Sequence, residues 1–216
     1  LNRSTFMMQP GEALELQNFE PDIEGGYRRI NGFSKYVSAV VPQTSSASEK
    51  VLMVATFGDL VVAARGEKIF SATAGGSSWT ERDTGRTSAG IYAFERYNFD
   101  GNDKLIVVDG ANAPTFFNSA MSATDVSNSD VAGSKFVTAF KSHMFYAGKS
   151  STPQTLVFSQ PFDEDAFSSG SGAGSIKVDD VITGLKVFRD NLFIFCENRI
   201  FKLSGSSSSD FAISAV

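Results

Sequence analysis

Two acidic clusters, one histidine and one cysteine are the residues of this 216-residue chain whose types and spacing could do chemistry. FDEDAF (Asp163, Glu164, Asp165) and VDDVI (Asp179, Asp180) supply paired carboxylates, which a glycosidase sets on either side of a sugar. Adjacent acids on a strand point to opposite faces, so the expectation for both clusters is solvated turn charge. DGNDKL from Asp100 opens like a calcium loop, with Asp100 and Asn102 at ligand spacing. Lys104 then stands where an oxygen is needed, which discounts calcium. His143 is the sole histidine, so no Ser-His-Asp arrangement can be assembled. With Cys196 as the sole cysteine, neither an internal disulfide nor a structural zinc site is available. Cys196 lies in the apolar run NLFIFCE and reads as a buried core thiol. GSGAGS near Gly170 lacks the lysine and the helix of a phosphate loop and reads as a flexible linker. No catalytic residue, metal or cofactor is expected, and the chain is read as a non-enzyme.

SATAGGSSW from Ser71 is a near miss for the Asp-box turn of sialidase-type propellers. Thr73 replaces the aspartate and Trp79 is displaced by one, which leaves a β-turn without a catalytic group. A net charge of −5 and 42% hydrophobic residues describe an ordinary globular chain that as a whole repels nucleic acid, since sequence-independent binding needs a basic face. No apolar run is long enough to span a bilayer, and no basic segment precedes an apolar one in the manner of a signal peptide. Leu1 in place of Met, and DFAISAV ending in mid-strand pattern, give the expectation of a longer natural chain.

Elements that could position such residues are short strands. Twenty phenylalanines and 19 glycines accompany almost no helical periodicity. PGEALELQNF is the exception, with Pro10 at an early helix position, and predicts at most a short helix near residues 10–19. Four segments share one shape, an apolar run, a turn and a second apolar run: 57–73, 101–119, 140–159 and 188–205. Their strands begin at Leu60, Leu105, Met144 and Leu192, spaced by 45, 39 and 48 residues, in the range of four-stranded propeller blades. KFVTAF and IYAFERYNF could supply further strands. A strand pair of this size cannot bury its apolar face alone, and stacking several around an axis does so while leaving short edges. The expected fold is all-β, a propeller-like series of antiparallel strands, with a β-sandwich as the alternative. Residues 1–50 are read as an N-terminal segment and 51–216 as the blades.

EGGYRRINGFSKY (Glu24–Tyr36) concentrates two arginines, a lysine and three aromatics. As a strand it would place Tyr27, Arg29 and Asn31 on one face and Arg28, Ile30 and Gly32 on the other, so the arginines diverge and form no single basic strip. Subunit contact or local salt bridges, solvated strand charge and direct DNA contact are the readings open to it. Arginine and tyrosine are favoured in interfaces.

Taken with its neighbours, this stretch resembles the N-terminal signature of the tail nozzle proteins of short-tailed bacteriophages, also called tail tubular protein B, and of related phage stabilisation proteins. LQNFEPD leads into a Gly-aromatic-Arg-Arg strand and then GF, matched by Asn18, Phe19, Gly26, Tyr27, Arg28, Arg29, Gly32 and Phe33. LIVVDGANAPTFFN, LVFSQPFDEDAF and VITGLKVFRDNLFIFCENRIFKLSG are similar to later segments of the family, in the same order. The resemblance implies a structural virion component of the tail: a ring, six-fold in the family, that extends the portal-adaptor channel and conducts viral DNA without reading its sequence. It implies as partners other copies of the chain, the tail adaptor and tail fibres, and no cofactor. Asn18, Phe19, Tyr27, Arg28, Arg29 and Phe33 become candidate assembly-interface residues. An acidic channel wall would keep phosphate from adhering. A receptor- or carbohydrate-binding propeller of the tail is the rival expectation, and a propeller scaffold for protein partners is another, because fold alone does not assign function.

Overall fold

In the computed structural model, residues 16–43, 49–87 and 90–216 are described. Tight turns set its strand pairs. The two-residue connections Asp100–Gly101 and Lys141–Ser142 lie wholly at positive φ, at 58° and 77° and at 48° and 63°. This is the type I′ geometry, whose twist matches that of the flanking antiparallel strands. Such turns fold the chain from Tyr36 to Val216 into four successive four-stranded antiparallel sheets. Sheet 1 contains β3 (Val51–Phe57), β4 (Leu60–Arg65), β5 (Lys68–Thr73) and β6 (Thr80–Asp83). Sheet 2 contains β7 (Ala93–Phe99), β8 (Asn102–Val108), β9 (Thr115–Phe117) and β10 (Ala123–Asp125). Sheet 3 contains β11 (Phe136–Phe140), β12 (His143–Ala147), β13 (Thr155–Phe158) and β14 (Gly174–Lys177). Sheet 4 contains β15 (Ile182–Phe188), β16 (Asn191–Cys196), β17 (Ile200–Ser204) and β18 (Ala212–Ala215).

Each sheet is a meander in chain order, and the first strands begin at 51, 93, 136 and 182, intervals of 42, 43 and 46 residues. The four repeated segments of the sequence are the second and third strands of these sheets, and KFVTAF and IYAFERYNF contain the first strands β11 and β7. Strands β8, β12 and β16 start one to three residues before the expected Leu105, Met144 and Leu192, because a two-residue turn returns Asn102, His143 and Asn191 directly to pairing.

Packing is face to face in series. Met53, Val62, Ala64 and Ile69 of sheet 1 share a core with Leu105, Val107 and Phe117 of sheet 2. Tyr97, Phe99, Ile106 and Val108 of sheet 2 share the next with Val137, Met144 and Tyr146 of sheet 3. Phe145, Leu156 and Phe158 of sheet 3 meet Leu192, Ile194, Phe201 and Leu203 of sheet 4. Period-2 alternation thus sends one strand's side chains into two cores, which is why the buried runs LIVV of β8 and MFYA of β12 carry no polar face. First strands neighbour one another in the order β3, β7, β11, β15, and no comparable contact joins β15 back to β3 among the described residues. Three cores among four sheets make a propeller-like arc, whereas a β-sandwich would have two sheets and one core.

A separate unit ends at Lys35. In it β1 (Phe19–Pro21) and β2 (Tyr27–Arg29) form a hairpin. The helix expected near residues 10–19 lies mostly outside the described residues. Within them Asn18 takes φ 63°, which no α-helix accommodates, and Phe19 opens β1. Segment 36–43, grouped by sequence with the N-terminal part, hydrogen-bonds to sheet 1: Tyr36 O accepts from Gly75 N at 2.8 Å and Ala39 O from Trp79 Nε1 at 2.8 Å.

Candidate functional site

The β1–β2 hairpin is built by its turn. Asp22 N donates to Gly26 O and Gly25 N to Asp22 O, both at 3.1 Å. Gly25 and Gly26 sit at φ 93° and 82°, which a side chain would resist. Pairing of Phe19 with Arg29, Glu20 with Arg28 and Pro21 with Tyr27 then fixes the faces. Phe19, Pro21, Tyr27 and Arg29 share one, and Glu20 and Arg28 share the other. Arg28 Nε donates to Glu20 Oε1 at 2.7 Å, with both side chains half exposed. Such a pair adds little stability, but it occupies Arg28 locally. Arg29 forms no ion pair among the described residues. It lies beside Phe19 (44% exposed) and Tyr27 (52% exposed).

At the hairpin's exit a concavity of about 520 Å³ is lined by Asn18, Arg29, Ile30, Asn31 and Phe33. Phe33 itself is 98% exposed. The six candidate residues are therefore partitioned. Phe19, Tyr27 and Arg29 form one face, Asn18 and Phe33 join Arg29 at the concavity, and Arg28 faces away. The arginines diverge as the alternation requires. A three-residue ribbon that exposes aromatics and an arginine lacks the burial to stand alone and has the composition of a binding anchor.

The residues with chemical potential are otherwise engaged in structure. His143 opens β12 fully buried, with Nδ1 2.6 Å from Ser159 O and its ring edge-on to Phe158 and Phe211. Cys196 is half-buried, and burial together with Asp180 and Asp179 pushes its thiol pKa up, away from reactivity. Asp180 accepts from Asn198 N and Val181 N at 2.8 Å, and Asp179 pairs with Arg199. FDEDAF is a loop between β13 and β14, and it corrects the expectation of purely solvated charge. Glu164 is buried, paired with Lys104 of β8, while its carbonyl accepts from Tyr146 Oη at 2.7 Å. Burial and the neighbouring Asp163 and Glu164 raise the Asp165 pKa to about 6. GSGAGS is likewise no flexible linker: it forms a 3-10 turn over Ser169–Ser171 and opens β14. At Gly174 a Cβ would lie 2.8 Å from the Phe158 ring, so close packing on that ring requires glycine there. No group of three metal-ligating side chains occurs among the described residues.

One network that sequence reasoning missed joins sheets 1 and 2. Arg86, buried in the loop after β6, donates to Asp83 Oδ2 (2.9 Å), Asp109 Oδ2 (2.9 Å), Tyr92 Oη (3.0 Å) and Thr115 Oγ1 (2.6 Å). Burial alone would lower the Arg86 pKa, but Tyr92, Asp83 and Asp109 raise it. Burial would raise that of Asp109, yet the Asn112 and Ala111 N–H groups, the Asn112 side chain and Arg86 hold it below the usual carboxylate value. DTGRT carries no sequence signal of this role, because its partners lie up to 29 residues away.

No family model matches the sequence, and no curated protein matches it. Its solved neighbours share the fold at low identity. The extracellular domain of BT4673 from B. thetaiotaomicron superposes with a TM-score of 0.55 at 10% identity, over 79% of this chain and 22% of that one. The N-terminal domain of Nup159 gives 0.51 at 7%, over 77% and 47%. PorZ, of the Porphyromonas gingivalis type-IX secretion system, gives 0.50 at 15%, over 79% and 23%. This chain therefore spans between about a fifth and half of their lengths, and the likeness speaks to fold alone.

Proposed function

We propose that this chain is a structural subunit of a phage tail nozzle, a ring that extends the portal-adaptor channel and conducts DNA during ejection. The observation that carries the reading is the hairpin. Phe19, Tyr27 and Arg29 stand exposed on one face of a ribbon too small to be stable alone, within the stretch whose motif order resembles that family. Among the described residues the buried Arg86, Asp109 and Glu164 sit in structural ion pairs, which fits a scaffold. In this reading the hairpin contacts a neighbouring subunit or the tail adaptor, and DNA passes without base-specific contact. The chain's acidic balance then keeps the phosphate backbone from adhering to the wall.

Sedimentation of the purified protein over a wide concentration range tests this. The expected result is a higher-order species that Tyr27→Ala with Arg29→Glu abolishes while the far-ultraviolet spectrum stays unchanged. A monomer at every concentration that binds glycans on an array contradicts the reading and favours a receptor-binding propeller.

A further inference from the structure

The second strand of each inner sheet divides its side chains between two neighbours. In β8, Leu105 and Val107 face back to sheet 1, and Ile106 and Val108 face forward to sheet 3. In β12, Met144 and Tyr146 face back, and Phe145 and Ala147 face forward to sheet 4. In β16, Leu192 and Ile194 face back into the core shared with sheet 3. Its forward residues are Phe193 and Phe195, which no sheet covers among the described residues. Lys186 pairs with Phe193, and Ile200 with Phe195, so these and Phe188 lie on the same face. Phe188 is 59% exposed and Phe195 39%. With Phe193 and Lys186 they enclose a concavity of about 330 Å³.

We propose that this face of sheet 4 docks a further four-stranded antiparallel sheet of the same make, one that presents Leu, Ile or aromatic side chains at alternate positions of its middle strands. The chemistry of the occupant follows from the three existing cores. The forward faces of sheets 1 to 3 are each covered by such a sheet, and Phe193 and Phe195 present the same face as Ile106 and Val108 of sheet 2 and Phe145 and Ala147 of sheet 3. Lys186 and Lys202 lie on the face. Their stems extend the apolar surface and their ammonium groups reach the rim. A second copy of this chain is a poor occupant. Its uncovered face of this type is the same lysine-bearing one, and joining two would set like charges together.

Sheet supply tests the proposal. The chain is extended after Val216 by a repeat of residues 178–216 in which the positions equivalent to Phe188, Phe193 and Phe195 are changed to Ser, so that the added sheet exposes no new phenylalanine face while its Leu192 and Ile194 equivalents present the required back face. Expected results are loss of dye binding by the exposed phenylalanines and a melting temperature raised by about 4 °C or more. Phe193→Glu with Phe195→Glu in the original sheet 4 should cancel that gain, while the same pair in the unextended chain leaves its own melting temperature within about 2 °C. An extension that changes neither dye binding nor melting overturns the proposal. So does dimerisation of the unextended chain that Phe195→Glu abolishes, which would make a second copy the occupant. Neither outcome depends on the hairpin, so the nozzle reading stands or falls separately.

Discussion

Arg86 holds two carboxylates, a phenol and a hydroxyl in one buried cluster between sheets 1 and 2. Removing one partner of such a set leaves a buried charge uncompensated, at a cost of roughly 3–5 kcal/mol. Arg86→Met is therefore expected to lower stability by about 3 kcal/mol in urea unfolding, far more than removal of Arg28 from its exposed pair with Glu20, worth less than about 1 kcal/mol. Asp109 has its pKa depressed in the fold. Its contribution is present above the unfolded value near 4 and is lost as pH falls through the lower folded value. Asp165 runs the other way. Its pKa, raised to about 6 in the fold, means that the native state binds the extra proton between about pH 4 and pH 6, so stability falls as pH rises through that window. Asp165→Asn should stabilise the protein at pH 7, by less than about 1 kcal/mol because the residue is largely exposed, and make no difference at pH 3.5. Paired melts at the two pH values check this.

At the scale of elements, the turns carry the strain. Lys141 and Ser142 both occupy left-handed backbone in the β11–β12 turn, at roughly 1–2 kcal/mol for each L-residue. Ser142→Gly relieves one of these against a backbone-entropy cost of about 0.5–1 kcal/mol. Unfolding midpoints should show a net gain of about 0.5–1 kcal/mol, because the Ser142 carbonyl that accepts from Phe162 N is kept. The second and third strands of every sheet were legible in the sequence because they are the most buried and hence the most apolar. LIVV in β8 and MFYA in β12 announce themselves. Fourth strands were not: TERD of β6, ATD of β10 and GSIK of β14 are short, outermost and polar, and pair only with one neighbour. The hairpin's divergent arginines follow from alternation alone. Glu164, Arg86 and Asp109 could not be found that way, because what buries them is contact between successive sheets, with partners 23 and 60 residues apart in sequence.

At the scale of the molecule, four blades in an arc leave two surfaces whose composition calls for a partner, the aromatic and arginine face of the hairpin and the phenylalanine face of sheet 4. Under the proposed function, the first is the surface of assembly between subunits. Electron microscopy of the purified protein, classified without imposed symmetry, tests that claim most directly. Rings of six-fold symmetry with an open channel wide enough for duplex DNA are expected, as is their loss in the Tyr27→Ala, Arg29→Glu variant. Isolated particles without rotational symmetry at every concentration, unchanged by that variant, would contradict it.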